Sequence, residues 1–195
     1  TARTGRARKV RSLSSGRAAI VPGIGTANAL ALDADGRIYV AGSLRGDGQD
    51  HFAVARYASD GVLDSAYGEG NGIAVAAIGA QDAAARRIVI DADGRPVVAV
   101  VSYSDGRAVL TLARFTLEGT LDAGFGAGSG IVATPIGTTE RVQCGLALDG
   151  SGRILVAGAI SEGTKDAFAV ARYSAAGELD TTFGSGGVVT TRVGP

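Results

Sequence analysis

The chain has 195 residues, 46% hydrophobic and 19% charged, which is enough for one domain with a real core and too apolar for a disordered tail. Its 31 Gly and 4 Pro lie among short runs of Val, Ile, Ala and Thr, a balance that favours strands and tight turns over helices. The formal charge is zero but uneven: Arg3, Arg6, Arg8, Lys9, Arg11 and Arg17 precede any acid, and the remainder is acidic on balance.

In chain order, residues 1–15 read as a basic, solvated arm. An isolated arm on an acidic body is weak evidence for nucleic-acid binding, and a nucleic-acid partner is not expected. No apolar run approaches the roughly 20 residues of a membrane-spanning helix, and no signal-peptide core follows the basic start, so the chain as given reads as soluble. It opens at Thr1 and holds no Met, which predicts upstream residues that this sequence does not include.

Residues 16–25, GRAAIVPGIG, then match a strand pattern that returns later as GIVATPIG. Next, NALALDADGRIYVAGS at 28–43 reads as a β-hairpin: apolar residues run to Leu32, Asp33 to Gly36 carry turn chemistry, and Ile38 to Ala41 restart the apolar run. FAVARYASDGVLDSAYG at 52–68 supplies a third strand and its turn. Phe52 and Val54 face one way there, Ala53 and Ala55 the other, so both faces are apolar and both want cover. GIAVAAIG at 72–79 makes a fourth strand, introduced by glycines.

This unit recurs at a strict spacing of 58 residues: Arg56, Arg114, Arg172; Asp64, Asp122, Asp180; Gly68, Gly126, Gly184; Tyr67, Phe125, Phe183. The hairpins return at 86–101 and 144–159, the third strands at 110–126 and 168–184, and the fourth strands at 130–137 and 187–194. The predicted fold is all-β: β-propeller blades of four antiparallel strands, with three complete repeats at about 26–80, 81–137 and 138–195 and one surplus N-terminal strand at 16–25, all within a repeat domain of 16–195. About 58 residues is slightly generous for a propeller blade and too many for a solenoid rung. Three blades cannot readily close a ring of about four to eight, so a missing part of the gene product or a second chain is expected to complete it.

ALDADGRIYVAG, FAVARYASDG and GELDTTFGSGGVVTT resemble the delta-60 repeats of bacterial proteins, over nearly everything from residue 26 onward. The departure is greatest in the second repeat, where Val100 and Val101 replace the Gly42-Ser43 pair. The resemblance implies a β-propeller-like fold and a secreted or surface-associated bacterial protein; it implies no common reaction.

Candidate chemistry is sparse. His51, the only histidine, is placed in a loop before a strand, and Cys144, the only cysteine, at a strand start as a free thiol. Neither has partners at the spacing of a zinc site or a catalytic triad. Asp33-Ala34-Asp35-Gly36 and Asp91-Ala92-Asp93-Gly94 look like the start of a calcium loop but lack its later ligands, and Asp149-Gly150-Ser151-Gly152 loses a carboxylate, so turn chemistry is the better reading. The glycine runs 68–72 and 126–130 lead into strands rather than helices and so read as bulged approaches, not phosphate cradles. Arg45-Gly46-Asp47 reads as a chance tripeptide in a short solvated loop. Of ten Phe and Tyr, Phe52, Tyr57, Tyr67, Phe115, Phe125, Phe168, Tyr173 and Phe183 occupy repeat columns and are expected in the core, leaving Tyr39 and Tyr103 outside. Arg56 shares strand parity with Phe52 and therefore needs a partner: Asp64 eight residues on, as Asp122 for Arg114 and Asp180 for Arg172.

The expected function is a non-enzymatic propeller scaffold or binding module at the bacterial surface or outside the cell, with no catalytic, cofactor-binding or metal residues and no cofactor. Its partner would be another protein or a second copy of the chain, and any ligand would sit on the loops 44–51, 102–109 and 160–167 with Asp47, Asp50, Asp105, Glu162 and Asp166. The alternatives are a hydrolase or lyase with its site in the propeller channel, which would need convergent polar residues on the innermost strands, and a purely structural surface array.

Overall fold

The computed structural model describes residues 25–46, 49–78, 82–104, 107–134, 144–162 and 165–192. The arm at 1–15 and all of the surplus strand except Gly25 lie outside them; Gly25 itself opens the first strand of the first sheet. Twelve strands are present among the described residues. β1 (Gly25–Leu32), β2 (Ile38–Gly46), β3 (Gln49–Tyr57) and β4 (Ile73–Ala76) pair in that order as one antiparallel sheet, blade I. β5 (Ala83–Ile90), β6 (Pro96–Ser104), β7 (Arg107–Arg114) and β8 (Ile131–Thr134) form blade II, and β9 (Cys144–Leu148), β10 (Ile154–Glu162), β11 (Lys165–Tyr173) and β12 (Val188–Arg192) form blade III. Three repeats thus give three four-stranded meanders, as the 58-residue spacing predicts.

The first turn of each blade is built by its leading aspartate. Asp33 Oδ1 accepts the amides of Asp35 and Arg37, Gly36 N donates to Asp33 O at 3.0 Å, and Gly36 takes φ 76°, a region open to glycine at little steric cost. Bulges interrupt β1 at Asn28 and β5 at Arg86. Opposite the first bulge, a Cβ on Gly42 would run into the Thr26 backbone; in blade II Val100 occupies that place and is fully buried, so the Gly-to-Val departure between repeats is absorbed by local backbone shape.

Two expectations about strand extent are corrected. The second and third strands run further than predicted: pairing continues to Gly46 with Gln49, Ser104 with Arg107 and Glu162 with Lys165, so most of 44–51, 102–109 and 160–167 is ladder rather than loop. His51 accordingly sits inside β3, opposite Leu44, and not in a loop. The fourth strand of blade I is shorter than the predicted 72–79, since only Phe52 to Ala55 of the third strand pair with it; the ends of the predicted 130–137 and 187–194 lie outside the described residues.

The sheets stack face to face. Tyr39, Ala41, Phe52 and Val54 of blade I meet Ile88, Val98, Val100 and Phe115 of blade II in one buried cluster, and Val97, Ala99, Leu110 and Leu112 of blade II meet Cys144, Ile154, Val156 and Tyr173 of blade III in a second. The alternation predicted for β3 is what allows this: one parity packs on the following blade and the other looks toward the preceding one. Each fully buried Phe or Leu stabilises the stack by roughly 1.5–3 kcal/mol. Along one side, β1 packs on β5 and β5 on β9, so the first strands converge and the fourth strands lie outermost.

The aromatic assignments need four corrections. Tyr39, expected outside the core, is fully buried and stands edge-on to Tyr67 with centroids 5.9 Å apart. Phe168, expected inside, is 61% exposed although its counterpart Phe52 is fully buried against Phe115, and Phe183 is only half-buried. The reason is positional, since Phe52 has a following blade to pack on and Phe168 has none among the described residues. Tyr57 is likewise half-buried on the outer face of blade I.

Candidate functional site

The recurring Arg, Asp and aromatic of each repeat assemble into one device at each blade junction. The chain leaves β3 at Tyr57 and turns on Gly61, whose amide donates to Ala58 O at 2.9 Å. It then returns so that Asp64 N donates to Arg56 O and Tyr67 N to Asp64 O. This fold-back puts the Asp64 carboxylate 2.8 Å from Arg56 Nε and lays the guanidinium over the Tyr67 ring, 4.6 Å from its centroid. Arg114 repeats the geometry with Asp122 at 2.7 Å and Phe125 at 4.8 Å, and Arg172 with Asp180 at 2.8 Å and Phe183 at 4.4 Å. The expected pairing across eight residues is therefore present in all three copies.

The same guanidinium also reaches across the junction. Arg56 Nη1 donates to the Leu117 carbonyl of blade II, and Arg114 Nη1 to the Ala175 carbonyl of blade III at 2.6 Å. Beside these bonds Gly68 N donates to Glu118 O at 2.8 Å and Gly126 N to Ala176 O at 2.9 Å. The β-turns after the third strands of blades II and III are thus each gripped by an arginine and a backbone amide of the blade before. Buried charge is tolerable here because every face of the guanidinium is occupied: carboxylate at Nε, carbonyl at Nη1, ring below.

Blade II extends the cluster. Arg95 bonds Asp91 at 2.9 Å, Asp93 at 2.5 Å and Asp122 at 3.3 Å, while Arg114 Nη1 stands 4.0 Å from Asp91. Burial alone would raise the Asp122 carboxyl, but the Gly124 amide, Arg114 and Arg95 outweigh it and hold it below the ordinary carboxylate range. Asp33 is lowered in the same way, burial being outweighed by the side chain and amide of Arg37. For groups lowered in the folded state, the stabilisation is complete above the unfolded value and is lost as pH falls through the folded one. The melting temperature should therefore hold steady above about pH 5 and fall below about pH 4. Asp122→Asn should flatten part of that acid slope; an unchanged slope in a pH series of thermal melts would remove Asp122 from the account.

The turn aspartates are engaged by the fold. Asp33 Oδ2 bonds Arg37 Nε at 2.6 Å, and Asp149 Oδ2 bonds Arg153 Nε at 2.7 Å, with both Oδ1 atoms taking turn amides. Turn chemistry is what these residues do. The arginine column Arg37, Arg95, Arg153 was not singled out from the sequence, although its own 58-residue spacing marks it. The glycine runs lead directly into β4 and β8, with the Asn71 and Ser129 side chains accepting the first strand amides, as a bulged approach requires. Cys144 opens β9, buried, and burial pushes its thiol up.

Asp47 and Asp105 lie outside the described residues. Asp50 does not reach outward freely: its carboxylate is 3.5 Å from Arg45 and its amide donates to Asp82 at 2.7 Å, which ties the second hairpin of blade I to the start of blade II. On the converging side, β1 presents Asn28, whose amide group donates to Ala85 O of β5 at 2.9 Å, and β5 presents the exposed pair Arg86 and Arg87. The innermost strands thus carry Asn28, Arg86 and Arg87 among their apolar residues. The polarity of Asn28 is spent on joining one blade to the next.

A family model described as "Domain of unknown function (DUF5122) beta-propeller" matches three segments, 34–67, 92–125 and 150–183. Each segment runs from the first turn of a blade to the aromatic of its junction device. No curated protein matches the chain.

Proposed function

Because the chain belongs to the DUF5122 beta-propeller family, we propose that it works as a non-enzymatic binding or scaffold module whose partners are proteins. The single observation that carries this reading is that the charged groups the repeats share are engaged by the fold itself: Arg56 and Arg114 across blade junctions, Asp33, Asp91 and Asp149 within turns. What varies between copies lies at the ends of the β2-β3, β6-β7 and β10-β11 hairpins, and variable tips on a rigid sheet are where recognition is placed. The delta-60 resemblance supports a location at the bacterial surface or outside the cell, and a second copy of the chain is a further partner.

Photo-reactive residues at positions 45, 103 and 162 test the tip reading. In the source organism they should give discrete protein adducts outside the cytoplasm, whereas the same residue at turn positions 34 and 92 should give none. Adducts confined to the converging strands, at positions 31 and 89, would instead favour a channel site, and silence at all three tips would overturn the reading.

A further inference from the structure

We infer that a second copy of this chain docks head to tail on the first, blade III of each against blade I of the other, through a clasp of the same atoms that join the blades inside the chain. This rests on the second-copy part of the reading above and not on the hairpin tips.

The two internal junctions define what the clasp requires. The giving side supplies an arginine Nη1, a glycine amide and an aromatic; the receiving side supplies two turn carbonyls and a glycine pressed under that aromatic. A Cβ on Gly119 would lie 2.6 Å from Gly68 N and 3.0 Å from the Tyr67 ring, and one on Gly177 would lie 2.7 Å from the Phe125 ring. Both glycines are buried.

In blades III and I each half stands alone among the described residues. Blade III carries the giving half: Arg172 holds Asp180 and Phe183 but reaches no carbonyl of a following blade among the described residues, and Phe183 is only half-buried and Phe168 exposed. Blade I carries the receiving half. Ser59 and Asp60 stand one repeat before Leu117 and Glu118, and Gly61 stands one repeat before Gly119. Gly61 shares the left-handed conformation at φ 81°, yet it is exposed and a Cβ there would meet nothing within 4 Å. The apolar faces match in the same way. Leu30 is 67% exposed and Leu32 60%, where their counterparts Ile88 and Ile90 are covered by blade I.

Applying the internal register to the ends pairs Arg172 Nη1 with the Ser59 carbonyl, the Gly184 amide with the Asp60 carbonyl, Phe183 with Gly61, and Phe168 with Tyr57 of the other copy. A contact in which unlike surfaces meet propagates unless it closes, and two copies of the three described blades make six, within the range of about four to eight that rings adopt; three copies would exceed it.

Light scattering after gel filtration of the whole chain reads this directly, with no outside protein involved, so its failure leaves the tip reading standing. The expected mass is that of two chains. Gly61→Ala, which adds a methyl under the incoming Phe183, and Phe168→Glu, which puts a charge on the opposite face, should each give the single-chain mass with unchanged β-sheet circular dichroism. Mixing the two variants should restore a two-chain species, because one of the two junctions then has an intact receiving turn and an intact giving face. A wild-type chain that stays single at high concentration would overturn the inference. So would a two-chain mass that survives both substitutions, or a mixture that remains single.

Discussion

Asp122→Ala is expected to destabilise the chain by about 3 kcal/mol, which for a protein of this size is a fall of roughly 6–12 °C in melting temperature. Asp180→Ala, the same substitution one repeat later, should cost clearly less. The difference comes from what lies beyond the pair. Arg114 is 6% exposed and is committed to the Ala175 and Gly124 carbonyls and to Phe125, so removing Asp122 strands a buried charge and also takes one of three partners from Arg95. Arg172 and Asp180 are 19% and 18% exposed, and water can replace either partner. The value for Asp122 is set at the low end of the range for broken buried pairs because 13% of its side chain still meets solvent. Thermal melts of both variants check this, and equal losses would mean that the following blade contributes nothing to the pair.

The second large effect separates backbone strain from packing. Gly61, Gly119 and Gly177 occupy equivalent turns at φ 81°, 88° and 85°, so an alanine at any of them bears a similar left-handed penalty of roughly 1–2 kcal/mol. Gly177→Ala must in addition push its methyl into the Phe125 ring, for which overpacking costs typically about 1–3 kcal/mol more. Carried out in a Phe168→Glu background, where no second copy covers blade I, Gly61→Ala should cost only the backbone term, and Gly177→Ala about twice that or more. Chemical denaturation resolves such a gap. Equal costs would show that the turn of blade III is not seated under blade II.

Much of the architecture could be read from residue spacing. The 58-residue recurrence of Arg56, Asp64 and Tyr67 marked the repeat, the Asp33 to Gly36 turn marked the hairpin, and the parity of Arg56 with Phe52 placed that arginine on a packed face with Asp64 as its partner. These are local or periodic signals, and side-chain identity carries them. What could not be read is of another kind. The acceptors for Arg56 and Arg114 are the carbonyls of Leu117 and Ala175, and a backbone carbonyl leaves no trace in the letters of a sequence. Tyr39 stood apart because its repeat partners Val97 and Leu155 are not aromatic, yet it packs at the junction of blades I and II as Val97 packs at that of blades II and III. Phe168 misled in the opposite way: a repeat column predicts the shape of a site but not whether a neighbour covers it, so the last member of a column inherits the residue without the burial. His51 looked like a loop residue because the polar run from Arg45 to Asp50 hides a ladder whose pairing lies in the backbone.

The claim on which the rest depends is that the repeated motif is a joint between blades. Amide exchange at Gly68, Gly126 and Gly184 measures it most directly, in the Phe168→Glu chain so that no second copy intervenes. Gly68 and Gly126 donate to Glu118 and Ala176 across the two internal junctions, while Gly184 holds the same place with no blade after it among the described residues. The account predicts strong protection at Gly68 and Gly126 and fast exchange at Gly184. Equal protection at all three would show that the motif closes within its own blade, and fast exchange at all three would show that the blades are not joined there.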